Sequence, residues 1–225
     1  MRKATVTRGT LYRLLSRGFS TEVDEPFVDQ LLKLQPVVSG LAEDSENEDF
    51  MEGSRILGKF VKRVESDYER DRRGFLLKLA AEYASLFLNV GLKPVHLAES
   101  VYLGKNHLLY EEPYFDVVRI YGLYGFKKKT AFREPEDHIS VELEFMAHLC
   151  DLVALSIEQG KGDYASGYLK NQKEFLEMHL ARWVPELVGK VRWASENDFY
   201  LAMAALLQGF VAIEGSFVSR LSEEL

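Results

Sequence analysis

Apolar residues recur at helical spacing through most of this chain. Leu11, Leu14 and Leu15, with Tyr12 and Phe19 alongside, predict a short amphipathic helix ending near Gly18. Pro26 opens a second, carrying Phe27, Leu31, Leu32 and Leu34, which Pro36 and Gly40 close. An acidic connection over 43–52 leads to a helix within 50–64, marked by Ile56, Leu57, Phe60, Val61 and Val64. The next spans 71–88, with Phe75, Leu76, Leu79, Tyr83, Leu86 and Phe87 inward. From Gly91 to Pro113 the pattern lapses into an irregular excursion, longer than an ordinary helix–helix connection, and such lengths often mark functional loops. A short helix over 115–124 ends at Gly125. A long one follows an acidic stretch and runs to Gln159, and another covers 164–180 until Pro185 breaks the pattern. The last, over 197–221, is apolar around much of its circumference, as a central helix is. No stretch alternates as a strand would, so the expected fold is all-α, a single-domain multi-helix bundle.

The acidic stretch sharpens that picture. Between Phe132 and Met146 the chain places Glu134, Glu136, Asp137, Glu142, Glu144 and His138 around Pro135. Ile139, Leu143, Met146, Cys150 and Val153 then fall on one helical face. Proline suits the first turn of a helix because it has no N–H to lose, and carboxylates are stabilised there by unpaired N–H groups and the dipole. A well-started helix with a solvated face accounts for this composition. A site for something cationic is the alternative.

Composition excludes several classes of function. The 225 residues, 47% hydrophobic and 12% aromatic, suffice for a substantial core. A formal charge of −7 argues against a nucleic-acid partner. The one basic run, Lys127 to Lys129, reads as an exposed loop. Cys150 stands alone in an apolar helical pattern, so a disulfide framework is ruled out and a buried structural thiol is expected. Residues 1–10 lack the apolar core of a secretory signal, and no run of about 18 apolar residues suggests a membrane span. These features imply a soluble, cytoplasmic protein without stable membrane insertion.

Catalytic signatures are largely missing. There is no phosphate-binding loop and no nucleophile elbow. His138 and Glu142 are four apart, as are Glu144 and His148, so a metal-dependent helical hydrolase using His138, Glu142 and His148 is the alternative reading; surface pairing is the ordinary explanation, since the chain lacks the Glu-x-x-His pairs of helical metal sites. Arg72-Arg73-Gly74-Phe75-Leu76-Leu77-Lys78 looks like a twin-arginine export motif, but it lies deep in the chain and Lys78 and Glu82 interrupt the apolar run. A solvated helix face explains it. A second reading makes it a placeholder for a client in an acidic groove.

Several blocks, in this order, resemble the TorD/DmsD/NarJ family of redox-enzyme maturation chaperones. Glu134-Pro135-Glu136-Asp137-His138, followed by Glu142-Leu143-Glu144-Phe145-Met146, is similar to that family's Glu-Pro-x-Asp-His signature. Glu82-Tyr83-Ala84-Ser85-Leu86-Phe87 resembles its aromatic-x-x-Leu-Phe segment, with Tyr83 where export-type members usually carry tryptophan. Ser100-Val101-Tyr102-Leu103 resembles its Ser-Val-Tyr element. The resemblance implies a non-enzymatic chaperone of two helical halves, about 1–131 and 138–225, joined by a hinge at 132–137. It implies as partner the apo catalytic subunit of a molybdopterin oxidoreductase and its N-terminal twin-arginine signal peptide. It implies no resident cofactor, extends weakly to guanine-nucleotide binding for which no residues suggest themselves, and allows a monomer or a helix-exchanged dimer.

Carried over to this chain, the peptide-binding residues are Tyr83, Leu86, Pro135, Asp137 and His138. The residues themselves supply a complementary argument. Arginines prefer bidentate carboxylates beside an apolar groove, for which Glu134, Glu136, Asp137 and Glu142 offer the charge and Tyr83, Leu86 and Phe87 the apolar part.

Overall fold

The structure, a computed structural model, describes residues 1–223 and is built from helices. In chain order these are α1 (Arg2–Ser20), α2 (Glu25–Glu43), α3 (Glu48–Arg63), α4 (Arg72–Phe87), the single turn α5 (Ser100–Leu103), α6 (Glu112–Leu123), α7 (Ile139–Glu158), α8 (Gly162–Phe175), α9 (Ala181–Ala194) and α10 (Asp198–Glu223). A π-helical turn, Val64–Tyr68, extends α3, and a second, Leu176–Leu180, joins α8 to α9. Among the described residues the sole β pairing is an isolated antiparallel bridge between Ala98 and His138. The all-α expectation holds.

Helix starts follow local chemistry. Asp24, Asn47, Asp71 and Asn197 each accept a backbone N–H of the first turn of α2, α3, α4 and α10. Helix ends are less obedient. Pro36 and Gly40 do not close α2, which runs on to Glu43 because Val38 and Ala42 continue its buried stripe beyond Leu31. Pro185 breaks nothing either. It sits inside α9, and the carbonyl its missing N–H would have reached belongs to Ala181, directly after the π-helical turn. Burial of Trp183, Val184, Leu187, Val188 and Val191 holds this helix, which the periodicity did not reveal.

The chain divides into two compact units, each discontinuous in sequence. Of the described residues the first comprises 1–16, 97–183 and 211–223, the second 17–96 and 184–210. Three of the four boundaries therefore fall inside α1, α9 and α10, the fourth lies between α4 and α5, and residues 132–137 lie within the first unit.

In the first unit α7 is buried almost all round, from Ile139 through Val153, and α8 packs along it. Arg8 of α1 grips Glu214 of α10 through Nε and Nη2 at 2.7–3.0 Å, and Tyr12 Oη donates to the same carboxylate at 2.7 Å. Gln172 of α8 accepts from Arg8 and donates to Cys150 Sγ of α7. Burial pushes the Cys150 thiol up to about 11, in keeping with the structural role expected of it.

In the second unit Phe27, Phe60, Phe75, Phe199 and Tyr200 form an aromatic core. Arg72 pairs with Glu69 and lies over the Tyr68 ring, while Phe75 is buried against Phe60 and Tyr68. Arg72 is thus engaged on its own helix, and Phe75 belongs to the core. The first half of α10 is the core helix here, with 202–207 buried throughout. By length and composition alone α10 could cross a membrane, which the sequence reading had excluded for every segment; its burial marks it as interior.

Candidate functional site

The acidic motif folds as a turn ahead of α7. His138 N–H closes on Pro135 C=O at 3.2 Å, and Pro135 is buried. Two strand-like bonds then lace the turn to the segment before α5. Glu99 N–H donates to Asp137 C=O at 2.9 Å, and Ile139 N–H donates to Leu97 C=O at 2.7 Å. Asp137 Oδ2 accepts the Ser100 N–H at 2.8 Å. Two blocks that sequence reading treated separately, Glu-Pro-x-Asp-His and Ser-Val-Tyr, are therefore bonded to each other.

The motif splits into an inward and an outward set. Asp137, His138 and Glu142 are buried, Glu134 is exposed, and Glu136 is half-buried. His138 Nδ1 accepts the Ser140 N–H at 3.1 Å and lies 2.8 Å from Ser140 Oγ, so the imidazole is the N-cap of α7. Burial, with Lys128 nearby, lowers its pKa to about 3, and the ring is neutral at physiological pH. Burial also raises the Asp137 carboxyl above its ordinary value, against the pull of the Ser100 bond.

Glu142 is fully enclosed. Its Oε2 accepts the Trp183 indole N–H at 3.2 Å. Burial, and then the neighbouring Glu99 and Asp137, push this carboxyl well above the usual carboxylate range. Beside it, Glu99 accepts from His179 Nδ1 at 2.9 Å, both side chains buried, with the imidazole stacked on Phe175. Tyr102 packs on the Trp183 ring.

Sequence reasoning missed Glu99, His179 and Trp183. Their only signal was position, Glu99 directly preceding the Ser-Val-Tyr element.

The outward set carries its own counter-ion. Lys128 pairs with Glu136 Oε1 at 3.3 Å and donates to the Glu134 carbonyl. The basic run at 127–129 is thus tied back to the acidic turn through Lys128, where a free loop was expected. Tyr121 Oη donates to the Glu136 carbonyl at 3.1 Å. Burial and Glu136 push the Tyr114 phenol up to about 12.

Tyr83 and Leu86 belong to the second unit and are both buried. Tyr83 donates to the Phe19 carbonyl at 3.4 Å and packs against Phe87 and Tyr200. His148 lies 3.3 Å through Nε2 from the Tyr124 carbonyl, next to Phe126. Among the described residues no three His, Cys, Asp or Glu side chains converge as metal ligands, which overturns the hydrolase reading built on His138, Glu142 and His148.

The profile of the family described as nitrate reductase delta subunit matches residues 47–189, well over half the chain. This chain belongs to that family. Among curated relatives it is 26% identical to a Chaperone protein TorD of Vibrio parahaemolyticus, over 94% of this chain and 94% of the relative. A Chaperone protein TorD of Vibrio cholerae is 28% identical over 96% and 94%, and one of Shewanella pealeana is 29% identical over 94% and 89%. The resemblance read from the motifs extends over nearly the full length, and the role it carries is that of a chaperone and not of an enzyme.

Proposed function

We propose that this chain is a cytoplasmic chaperone dedicated to the catalytic subunit of a molybdenum or tungsten oxidoreductase. It binds that subunit before cofactor insertion, holds its N-terminal twin-arginine signal peptide, and delays export until maturation is complete. The observation that carries the reading is the end-to-end match with relatives named Chaperone protein TorD. The motif geometry fits a scaffold for peptide capture. Asp137, His138 and Glu142 build the turn from inside, and Glu134 and Glu136 present carboxylates at its surface. Tyr83 and Leu86 contribute through the packing of the second unit, since neither is exposed.

The decisive experiment is affinity purification of the tagged full chain from its own cells, with recovered proteins identified by mass spectrometry. Recovery of a molybdopterin oxidoreductase catalytic subunit, and its loss when that subunit's N-terminal signal is deleted, is the expected result. A preparation without any such subunit would end this reading. The same preparation, run on a sizing column, separates a monomer from a helix-exchanged dimer.

A further inference from the structure

In the motif turn Lys128 occupies the Glu136 carboxylate and the Glu134 backbone carbonyl, which leaves the exposed Glu134 carboxylate, and arginine recognition can draw on further free carboxylates. The first unit has them. A cavity of about 550 Å³ opens between the loop after α5, the start of α6 and the π-helical turn at Leu176–Leu180. Buried Glu99 and His179 contribute to its wall, and Glu111, Glu112, Asp116 and Met178 line it too. Glu111 accepts from the Asn106 backbone and side-chain N–H groups, which hold its carboxyl below the ordinary value, so it stays charged. Neither Glu111 nor Glu112 has an ion-pair partner among the described residues. Asp116 meets Arg119 at 3.4 Å on an exposed face. Lys105 and Arg182 also line the cavity, but carboxylates outnumber these cations.

A Cβ at Gly104 would collide with the Glu111 carboxylate and the Ser100 carbonyl, so glycine is what lets this acid approach the loop.

The cavity shares Asp116, Met178 and His179 with a second hollow of about 330 Å³, in which Ile120, Leu123 and Phe175 lie beside Arg119, Asn171 and Glu174. Leu123 and Met178 are exposed, as is Phe115 nearby on α6. Solvent-facing apolar side chains next to unpaired carboxylates are the complement of a peptide that is basic and then apolar. Methionine in particular adapts to varied apolar partners. α6 is about 18 Å long at 1.5 Å per residue, room for five or six residues of extended peptide.

We infer that this surface takes the N-terminal segment of the client, an arginine over Glu111 and Glu112 and the following apolar run along Ile120, Leu123 and Met178. The inference rests on the chaperone reading above and names the place where the peptide sits.

The test uses the full chain and a dye-labelled synthetic peptide with two adjacent arginines ahead of an alanine- and leucine-rich run, followed by fluorescence anisotropy. Binding should weaken about ten-fold or more in Glu111→Gln/Glu112→Gln, roughly what the loss of a charge-assisted bond predicts. Glu112→Gln/Asp116→Asn should do the same while leaving Glu111 on Asn106, which guards against a loosened loop. Replacing the peptide's arginines by glutamine should weaken wild-type binding and abolish the difference between wild type and variants. Unchanged affinity in both variants, or a loss seen only in Glu134→Gln/Glu136→Gln, would overturn the location while the chaperone reading stood. A wild-type chain that binds the arginine and glutamine peptides alike would overturn the cationic occupant. The separate recovery of the catalytic subunit from cells decides the chaperone role independently.

Discussion

Trp183 hydrogen-bonds through its indole N–H to Glu142 Oε2 at 3.2 Å, and both side chains are wholly buried. The bond joins the start of α9 to the first turn of α7, directly behind the acidic motif. The upward shift means that the fold favours the neutral carboxyl, which can accept this bond without the cost of a buried charge. Glutamine would serve almost as well, so Glu142→Gln should change stability by less than about 1.5 kcal/mol, as volume-conserving swaps do. Trp183→Phe removes the donor and leaves both a void and an unsatisfied acceptor. A loss of about 2–4 kcal/mol is expected. Urea denaturation of the two variants measures both, and a Trp183→Phe chain as stable as wild type would show that the bond carries no weight.

Two buried groups near the motif oppose each other with pH. The pKa of His138 falls from 6.5 to about 3, so the folded state binds fewer protons there than the unfolded chain does. Its contribution is complete above pH 6.5 and is lost as pH falls toward 3, by about 1.4 kcal/mol per pH unit. Glu142 is shifted upward from 4.5, so the folded state holds a proton the unfolded chain releases. Its contribution is complete below 4.5 and is lost as pH rises toward its folded value, and the raised Asp137 acts in the same direction from 3.8 upward. Between pH 4.5 and 6.5 the histidine and the carboxyls therefore offset one another. His138→Asn keeps a capping side chain but does not titrate, and its stability relative to wild type should rise as the pH is lowered through this window. Glu142→Gln should show the reverse, a steeper acid loss. Denaturant titrations across the window read both slopes, and parallel curves for the three proteins would refute the account.

Most helices other than α9 were legible because amphipathic spacing is local. Phe27, Leu31, Phe60, Phe75 and Leu79 face inward as their periodicity requires. What was hidden depends on partners distant in the chain. Pro36 and Pro185 look like stops, yet buried residues beyond them keep both helices going, since tertiary burial outweighs propensity. The acidic motif was visible as a block, but nothing in its spacing said that Asp137 and Glu142 point inward and Glu134 outward. That division is set by Ser100 and Trp183, from segments the motif does not adjoin. The discontinuous units are equally invisible to a reading that moves along the chain, because α1, α9 and α10 each serve both.

Arg8 and Glu214 close the first unit through a buried bidentate pair that also takes up Tyr12 and Gln172. Burial works against the Arg8 charge, but Glu214 more than compensates and keeps the guanidinium protonated. Removing one partner leaves the other charge buried and uncompensated, so Arg8→Met or Glu214→Leu alone should cost about 3–5 kcal/mol. Removing both should cost clearly less than the sum of the two. A double-mutant cycle in urea measures the difference, and additive losses would mean that the pair is not coupled.

Glycine on α3 has opposite meanings five residues apart. A Cβ at Gly53 would stand 2.6 Å from the Leu206 backbone nitrogen of α10, and one at Gly209 would run into the Phe50 backbone of α3. Both obstacles are main chain, which cannot rotate aside as a side chain does, so the two helices approach here only because neither residue has a side chain. Gly53→Ala and Gly209→Ala should each cost about 1–3 kcal/mol through overpacking, even after alanine's better helix propensity is counted. At Gly58 the nearest atom is the Gln35 Nε2, 3.9 Å away, at the mobile end of a side chain. There alanine meets no obstacle and reduces the freedom of the unfolded chain, so Gly58→Ala should stabilise by about 0.4–1 kcal/mol. Thermal and urea melts of the three variants compare the signs directly. A Gly53→Ala chain stabilised like Gly58→Ala would mean that α3 and α10 do not meet backbone to backbone.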